Sequence, residues 1–239
     1  MEEAQKAGRA LRRQRLEAAG EREPNTTLMP VTARGEATRR RILDAAEAVI
    51  GEKGYHAASV TEITQRAQVA QGTFYLYFHS KREIFLQLVE DLGEQLRAAS
   101  REATKDIPGR MDKEREGFAA FPEFARTHRQ LYRIVQEADR VDLPTFQEYY
   151  TRIARGYTRG LRAAMEAGEI RQMDPETLAY TLIGIGHFLA LRWLIWPQGS
   201  VQDGQPPVAE AVSELEEPPE LPERVFSTLM EFLAHGLLP

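Results

Sequence analysis

Apolar residues in this chain recur at helical spacing, and nowhere do they alternate with polar ones long enough to make a strand. Ile42, Leu43, Ala46, Val49 and Ile50 form the first such stripe, beginning near Glu36 and ended by Gly51 and Gly54. Ile63, Ala67 and Val69 mark a short second helix with Ser59 and Thr61 as cap candidates. A brief break leads into a third helix over Gln71–Tyr77, and Ser80 then caps a long fourth through Ile84, Phe85, Leu88, Leu92 and Leu96. After Pro108 and Gly109 the period stays helical at about 111–126, 128–139, 144–167, 175–196 and 220–236. Asp142 with Pro144, Gly168, and Asp174 with Pro175 punctuate these stretches. The expected fold class is all-α.

The same pattern sets the expected organisation. Residues 1–35, rich in arginine and then in Pro, Thr and Gly, form a basic arm and linker; 36–82 a three-helix N-terminal domain; 83–239 a larger helical domain. Within the last, residues 197–219 carry too much Pro and Gly for a helix and are expected to be a loop.

Composition removes several classes of function. With no cysteine there is no disulfide, thiolate nucleophile or zinc–cysteine site. The five histidines show no metal spacing and no glycine-rich phosphate loop occurs, so neither an enzyme nor a bound cofactor is expected. No uninterrupted apolar run reaches the length of a membrane span, and no apolar segment follows the N-terminal charges, which points to a cytoplasmic protein with no membrane partner. The net charge of −5 conceals an asymmetry: residues 1–83 carry net +3 and the remainder −8. A basic N-terminal third on an acidic body suits approach to DNA from one end.

The segment 59–81, SVTEITQRAQVAQGTFYLYFHSK, carries the most specific signal. A Thr-led helix is followed by a short turn, a Gly-Thr-aromatic-Tyr helix and a Phe-x-Ser-Lys step into the next helix. This closely resembles the DNA-binding domain of the tetracycline-repressor (TetR) family, over about residues 38–92. HRQLY at 128–132, GEI at 168–170 and Asp174 with Pro175 match that family's punctuation in outline. The resemblance implies a homodimer that binds palindromic double-stranded operator DNA through a helix-turn-helix, represses transcription, and is released when a small effector fills a cavity in the body.

Physical chemistry agrees with that implication. Two short helices cannot bury their own apolar faces, so the first and fourth must supply a core, leaving one side of the third free to enter a major groove. Gln71 can bond an adenine edge, Thr73 can meet a thymine, and Gly72 lets the backbone approach phosphate. Tyr75 and Tyr77 reach phosphates with their hydroxyls, while Thr61, Lys81 and Arg39 stand at helix starts where phosphate binds well. Two departures from the family pattern stand in this segment: Gln68 where glycine usually relaxes the turn, and Ala70 where a serine or threonine usually caps the third helix.

In the body, Phe118 and Phe121 are expected to pair on one helix face, with Phe124 not able to share it fully; Tyr150 adds to the aromatic set. The stretch 178–196 is apolar nearly all round and so is expected to be buried on every face, between a cavity and a dimer contact. Leu182, Gly186, His187 and Leu189 are expected to line the cavity, with Arg192 as the cation at its mouth. Leu178, Leu182, Leu189, Trp193, Val225, Leu229 and Phe232 are expected among the buried positions of a dimer built on the last two helices. An apolar cavity with a cation suits a fatty acyl-CoA. The alternatives are a cationic hydrophobic drug acting on a repressor of an efflux gene, disfavoured by the lack of an evident buried Asp or Glu, and a helical enzyme or interaction module that merely carries a helix-turn-helix.

Overall fold

A computed structural model describes residues 32–196 and 221–239, so residues 1–31 of the expected arm and linker and the expected 197–219 loop lie outside the described residues, while Ala33–Gly35, expected in the linker, belong to the first helix. Every regular element among the described residues is a helix: α1 (Ala33–Lys53), α2 (Val60–Arg66), α3 (Gln71–Tyr77), α4 (Lys81–Thr104), α5 (Arg110–Thr127), α6 (Arg129–Val141), α7 (Leu143–Glu166), α8 (Pro175–Ala190) and α9 (Glu223–Leu237). α8 continues into a single π-helical turn, Leu191–Ile195. The helices group into two compact units, one of residues 32–45 with Ser59–Ile84, the other of Ala46–Ala58 with the described residues from Phe85 onward. α1 and α4 each begin in the first unit and continue into the second.

Capping explains where the helices of the first unit start. α1 begins three residues ahead of Glu36, because the Thr32 hydroxyl accepts from the Gly35 amide at 3.1 Å. At α2, Ser59 Oγ accepts from the Glu62 amide while the Glu62 carboxylate accepts from the Ser59 amide at 3.0 Å, a reciprocal box that satisfies two otherwise orphaned donors. Ser80 caps α4, accepting from the Glu83 amide at 3.1 Å, while the Glu83 carboxylate accepts from the His79 amide at 2.5 Å. Ile42, Leu43, Ile63, Phe74, Phe78 and Ile84 are buried in this unit, which fixes which sides of α2 and α3 face inward.

In the second unit α7 packs on both α6 and α8, and α5 lies against α8 and α9. One apolar cluster gathers Phe118, Leu161, Met165, Ile170, Leu182, Leu229 and Leu233; another joins Ala125 and Tyr132 to Leu191, Leu194 and Ile195. Asp142 and Asp174 cap α7 and α8, accepting from the amides of Thr145 and Thr177, and each is followed within two residues by a proline whose missing N–H costs a helix start nothing. The end of α9 is tied down by Arg171: its backbone amide donates to the Leu237 carbonyl at 2.9 Å, and its guanidinium to those of His235 and Leu238. These are the carbonyls a helix C-terminus leaves without partners.

Pro122 sits inside α5 and cannot donate to the Phe118 carbonyl one turn back. The π turn likewise changes the end of α8: Trp196 donates to the Leu191 carbonyl, five residues back, so the regular helix stops six residues earlier than its apolar period suggests.

Pro175–Ile195 has the length and hydropathy of a membrane-crossing helix, yet Ala179, Leu182, Gly186 and Ala190 along it are buried within the unit. The expectation that 178–196 is buried on every face does not hold within one chain. Tyr180 and Phe188 are exposed, and a side chain at Gly184 would meet open space. On α9, Val225 and Leu229 are buried while Phe232 is 64% exposed; Leu178, Leu189 and Trp193 are half-buried. A helix can be apolar all round and still have one face uncovered when only one copy of the chain is present.

Candidate functional site

The first unit presents a helix-turn-helix. The turn between α2 and α3 passes through Gln68, whose φ of +54° is the left-handed region that favours glycine. Its amide donates to the Gln65 carbonyl and the Val69 amide to that of Thr64, both at 3.1 Å, so the backbone closes the turn despite the side chain. Ala70 has no side-chain hydrogen bond to the start of α3, as its methyl group requires.

α3 then separates its faces. Phe74 and Phe78 are buried, while Gln71, Gly72, Tyr75 and Leu76 are exposed, with Thr73 and Tyr77 half-buried on the flanks. A Cβ added at Gly72 would meet nothing within 4 Å, leaving its backbone open to close approach. Leu76, 51% exposed, belongs to this face and was missed by sequence reasoning; an exposed leucine between two tyrosines of a seven-residue helix was the available signal. Thr61 is exposed in the first turn of α2, and Lys81 is half-buried at the start of α4. Arg39 is half-buried, its guanidinium 5.3 Å from the centre of the Phe78 ring. The eight residues expected to face DNA therefore all lie in this unit: Gln71, Gly72, Thr73, Tyr75 and Tyr77 on α3, Thr61 and Lys81 at the starts of α2 and α4, and Arg39 on α1.

The second unit encloses a cavity of about 1040 Å³. Phe118, Phe121, Tyr150, Leu182, Gly186 and His187 line it, as the sequence suggests. Phe124 lines it too, so the expectation that the three rings cannot share one face is corrected: three residues spaced by three span only about 120° of a helix, within the width of one apolar stripe. A Cβ at Gly186 would lie 3.3 Å from Phe118 and 3.6 Å from Phe121, so the absence of a side chain there lets both rings reach the wall of α8.

Leu189 and Arg192 are not part of the lining. Leu189 packs on the apolar cluster around Leu182 and Leu229. Arg192 falls in the π turn, where helical period no longer fixes direction; it is exposed, with its guanidinium 5.5 Å from the centre of the Trp193 ring. The cations at this cavity come from other helices. Arg97 and Arg101 of α4, Arg110 and Lys113 of α5, and Arg152, Arg155, Arg159 and Arg162 of α7 line it, against two carboxylates, Glu114 and Glu176. The α7 arginines follow a 3–4–3 spacing and so share one face of that helix. Arg152 is partly engaged, with Glu148 at 2.7 Å and Glu90 at 2.9 Å.

Two hydrogen-bonded groups are built into the wall. In one, the buried Glu114 accepts from Arg110 Nε at 2.7 Å, from Arg110 Nη2 and from the Tyr157 hydroxyl, while the guanidinium stands 5.0 Å from the Tyr157 ring centre. Burial, then the Glu114 charge, push the Tyr157 hydroxyl well above its usual pKa. A buried carboxylate thus does exist in the lining, contrary to the sequence expectation, but it is neutralised by Arg110. In the other group, the Tyr132 hydroxyl lies 2.7 Å from His187 Nδ1 and the Tyr150 hydroxyl 3.4 Å from the same atom. Burial lowers the His187 pKa, raises that of Tyr132, and pushes Tyr150 up to about 12. Among the described residues no cluster of three or more His, Asp or Glu side chains is placed to hold a metal.

Residues 42–88 match the family described as bacterial regulatory proteins, tetR family. An uncharacterized HTH-type transcriptional regulator of Bacillus subtilis, YhgD, is 26% identical over 160 residues, which cover 65% of this chain and 83% of that one. The fatty acid metabolism regulator protein of B. subtilis is 47% identical over 51 residues, 21% of this chain and 26% of its own. Among solved structures, a putative TetR-family regulator from Syntrophomonas wolfei superposes with a TM-score of 0.65 at 22% identity, over 85% of this chain and 97% of its own. AibR, solved with isovaleryl coenzyme A and operator DNA, gives 0.60 at 16% identity, over 82% and 97%. FadR from B. subtilis, solved with stearoyl-CoA, gives 0.57 at 24% identity, over 64% and 86%.

Proposed function

We propose, from this chain's place among the transcription regulators of the tetR family, that it is a cytoplasmic, dimeric repressor of palindromic operator DNA released by a medium- or long-chain acyl-CoA. Residues 36–82 form the DNA-binding domain and 83–239 the effector and dimer domain. Gln71 and Thr73 meet base edges in the major groove, and Arg39, Thr61, the Gly72 backbone, Tyr75, Tyr77 and Lys81 hold phosphates. The exposed face of α3 and the open backbone at Gly72 support that assignment.

The observation that carries the effector class is the lining of the cavity. Its interior offers Phe118, Phe121, Phe124 and Leu182 to an acyl chain, while eight cationic side chains against two carboxylates suit the phosphates of coenzyme A. That excess sits in a part of the chain whose net charge is −8, so it is local to the cavity rather than a property of the domain. A cationic drug finds one deeply buried carboxylate here, Glu114, and Arg110 already occupies it. The acyl-CoA-bound structures of similar fold, FadR and AibR, support the same class.

Dimerisation has its own support. Phe188 and Phe232, each 64% exposed, lie on α8 and α9 together with Tyr180 and the uncovered Gly184. A second copy burying that surface removes it from water. Effector binding then acts by favouring a state whose half-site spacing mismatches the operator, by no more than its differential affinity for the two states. Retardation of genomic operator fragments, titrated with acyl-CoAs and with a hydrophobic cationic dye, tests the proposal. Release by micromolar acyl-CoA supports it; release by the dye alone replaces it with the drug reading.

A further inference from the structure

Tyr132 of α6, Tyr150 of α7 and His187 of α8 meet on the cavity wall, and their hydrogen bonds do not balance. The Tyr132 hydroxyl has two acceptors in reach, His187 Nδ1 at 2.7 Å and the His187 carbonyl at 3.3 Å. That carbonyl already accepts from the Leu191 amide. That oxygen could accept a second bond, so the distances decide: Nδ1 at 2.7 Å is the nearer acceptor, and Tyr132 donates to it. A neutral imidazole whose Nδ1 accepts carries its own proton on Nε2. Burial keeps the ring in that neutral form by lowering its pKa.

Nε2 has no hydrogen-bond partner among the described residues. The Tyr150 hydroxyl is in a similar position, since its polar neighbour is the same Nδ1, 3.4 Å away, whose single lone pair Tyr132 already uses. Around one imidazole the wall thus holds two donors, the Nε2–H and the Tyr150 hydroxyl, beside which the described residues offer no acceptor other than the Nδ1 that Tyr132 uses.

We propose that His187 Nε2–H and the Tyr150 hydroxyl form a subsite for an uncharged carbonyl oxygen, the thioester carbonyl of the acyl-CoA effector. The match is by chemistry. A carbonyl oxygen accepts and never donates, as two idle donors require. A carboxylate would bring a charge to a group of three neutral side chains, and a hydroxyl would arrive with a proton that finds no acceptor. In an acyl-CoA the thioester carbonyl lies between the apolar chain and the phosphates, as this subsite lies in a wall that carries both phenyl rings and arginines. The proposal rests on the acyl-CoA reading and refines it.

The test compares two ligands of the full-length protein by isothermal titration calorimetry: dodecanoyl-CoA and its thioether counterpart S-dodecyl-CoA, which lacks only the carbonyl oxygen. Wild type is expected to bind the thioester about tenfold more tightly. His187→Phe and Tyr150→Phe should each reduce that preference toward unity. Tyr150→Phe removes a single oxygen from a half-buried ring, so it keeps the test valid where the histidine variant folds poorly. Equal affinity of wild type for both ligands, or an undiminished preference in Tyr150→Phe, overturns the subsite and leaves the effector class standing. If neither ligand binds wild type, the acyl-CoA reading fails, and the subsite with it.

Discussion

Gly51 of α1 rests so closely on Gln130 of α6 that a Cβ at position 51 would stand 2.6 Å from the Gln130 Cβ. Both atoms belong to parts of helices that cannot yield as a side-chain tip can. Beside it, Glu137 of α6 accepts from the Tyr55 amide at 2.7 Å, and its carboxylate would lie 3.0 Å from a Cβ at Gly54. The end of α1 is therefore docked on α6 by the absence of two side chains and the presence of one carboxylate.

Gly51→Ala is expected to destabilise the protein by about 1–2 kcal/mol. Alanine gains roughly 1 kcal/mol of helix propensity over glycine, but forcing backbone apart in a packed contact costs about 1–3 kcal/mol, and a 2.6 Å approach lies at the severe end. Urea denaturation reads the balance; a stabilised variant would show that α1 can move off α6 at little cost.

At the turn of the helix-turn-helix, Gln68→Gly should raise stability by up to about 1 kcal/mol and Gln68→Val should lower it by about 1 kcal/mol or more. A left-handed residue other than glycine costs about 1–2 kcal/mol, only partly offset by the extra chain entropy glycine loses on folding, and a β-branched side chain fares worst there. Thermal melts of the pair check the order: Gly above wild type above Val.

Much of the fold was legible because its signals are local. Ser59 with Glu62, Ser80, Asp142 and Asp174 announce helix starts through side chains within three residues of the amides they cap. The odd residue at 68 marked the turn where the backbone is indeed left-handed. The cavity was less legible, since its signals are long-range. The α7 arginines have the spacing of a solvated face, and Arg110 with Glu114 has that of an ordinary surface i,i+4 pair, yet this pair is 8% and 2% exposed. Arg192 was misplaced because a π turn breaks the period on which its direction was reckoned.

Removing the carboxylate partner from the buried pair should be costly. Glu114→Ala leaves the Arg110 guanidinium buried and uncompensated, an expected loss of about 3–5 kcal/mol. Tyr157→Phe removes one hydrogen bond to the same carboxylate and should cost about 1–3 kcal/mol. Chemical denaturation of both variants checks the order, and equal losses would show that the charge pair adds nothing beyond the tyrosine contact.

DNA binding should depend on Tyr75 independently of folding. The ring is 47% exposed and meets Phe74 edge-on at 5.3 Å, so Tyr75→Ala should preserve helicity while weakening operator binding at least tenfold. Unchanged retardation of operator fragments would place the DNA-reading surface elsewhere.

His187 predicts an acid-sensitive stability. Burial depresses its folded-state pKa below 6.5, so as pH falls the unfolded chain takes up this proton first. The contribution is complete above about pH 6.5 and is lost progressively as pH drops toward the folded-state value. Melting temperature should fall between pH 7 and 5, and His187→Phe should flatten that slope; parallel slopes would assign the loss to other groups.

Assembly should fail when the open faces of α8 and α9 are charged. Phe188→Glu with Phe232→Glu replaces two rings that are each 64% exposed in the single chain, so it should leave the fold intact and give a monomer by light scattering. A dimer that survives both changes uses a different surface.

Pro122 has a consequence for how readily the cavity can change shape. The helix that carries Phe118, Phe121 and Phe124 along the cavity lacks the backbone bond from position 122 to the Phe118 carbonyl. Widening or narrowing this stretch has one rung fewer to strain at position 122 than the same adjustment in the middle of α7. On the effector reading proposed above, altered ligand preferences, whether reached by natural drift or by laboratory selection, should therefore accumulate around Pro122 before they appear on the opposite walls.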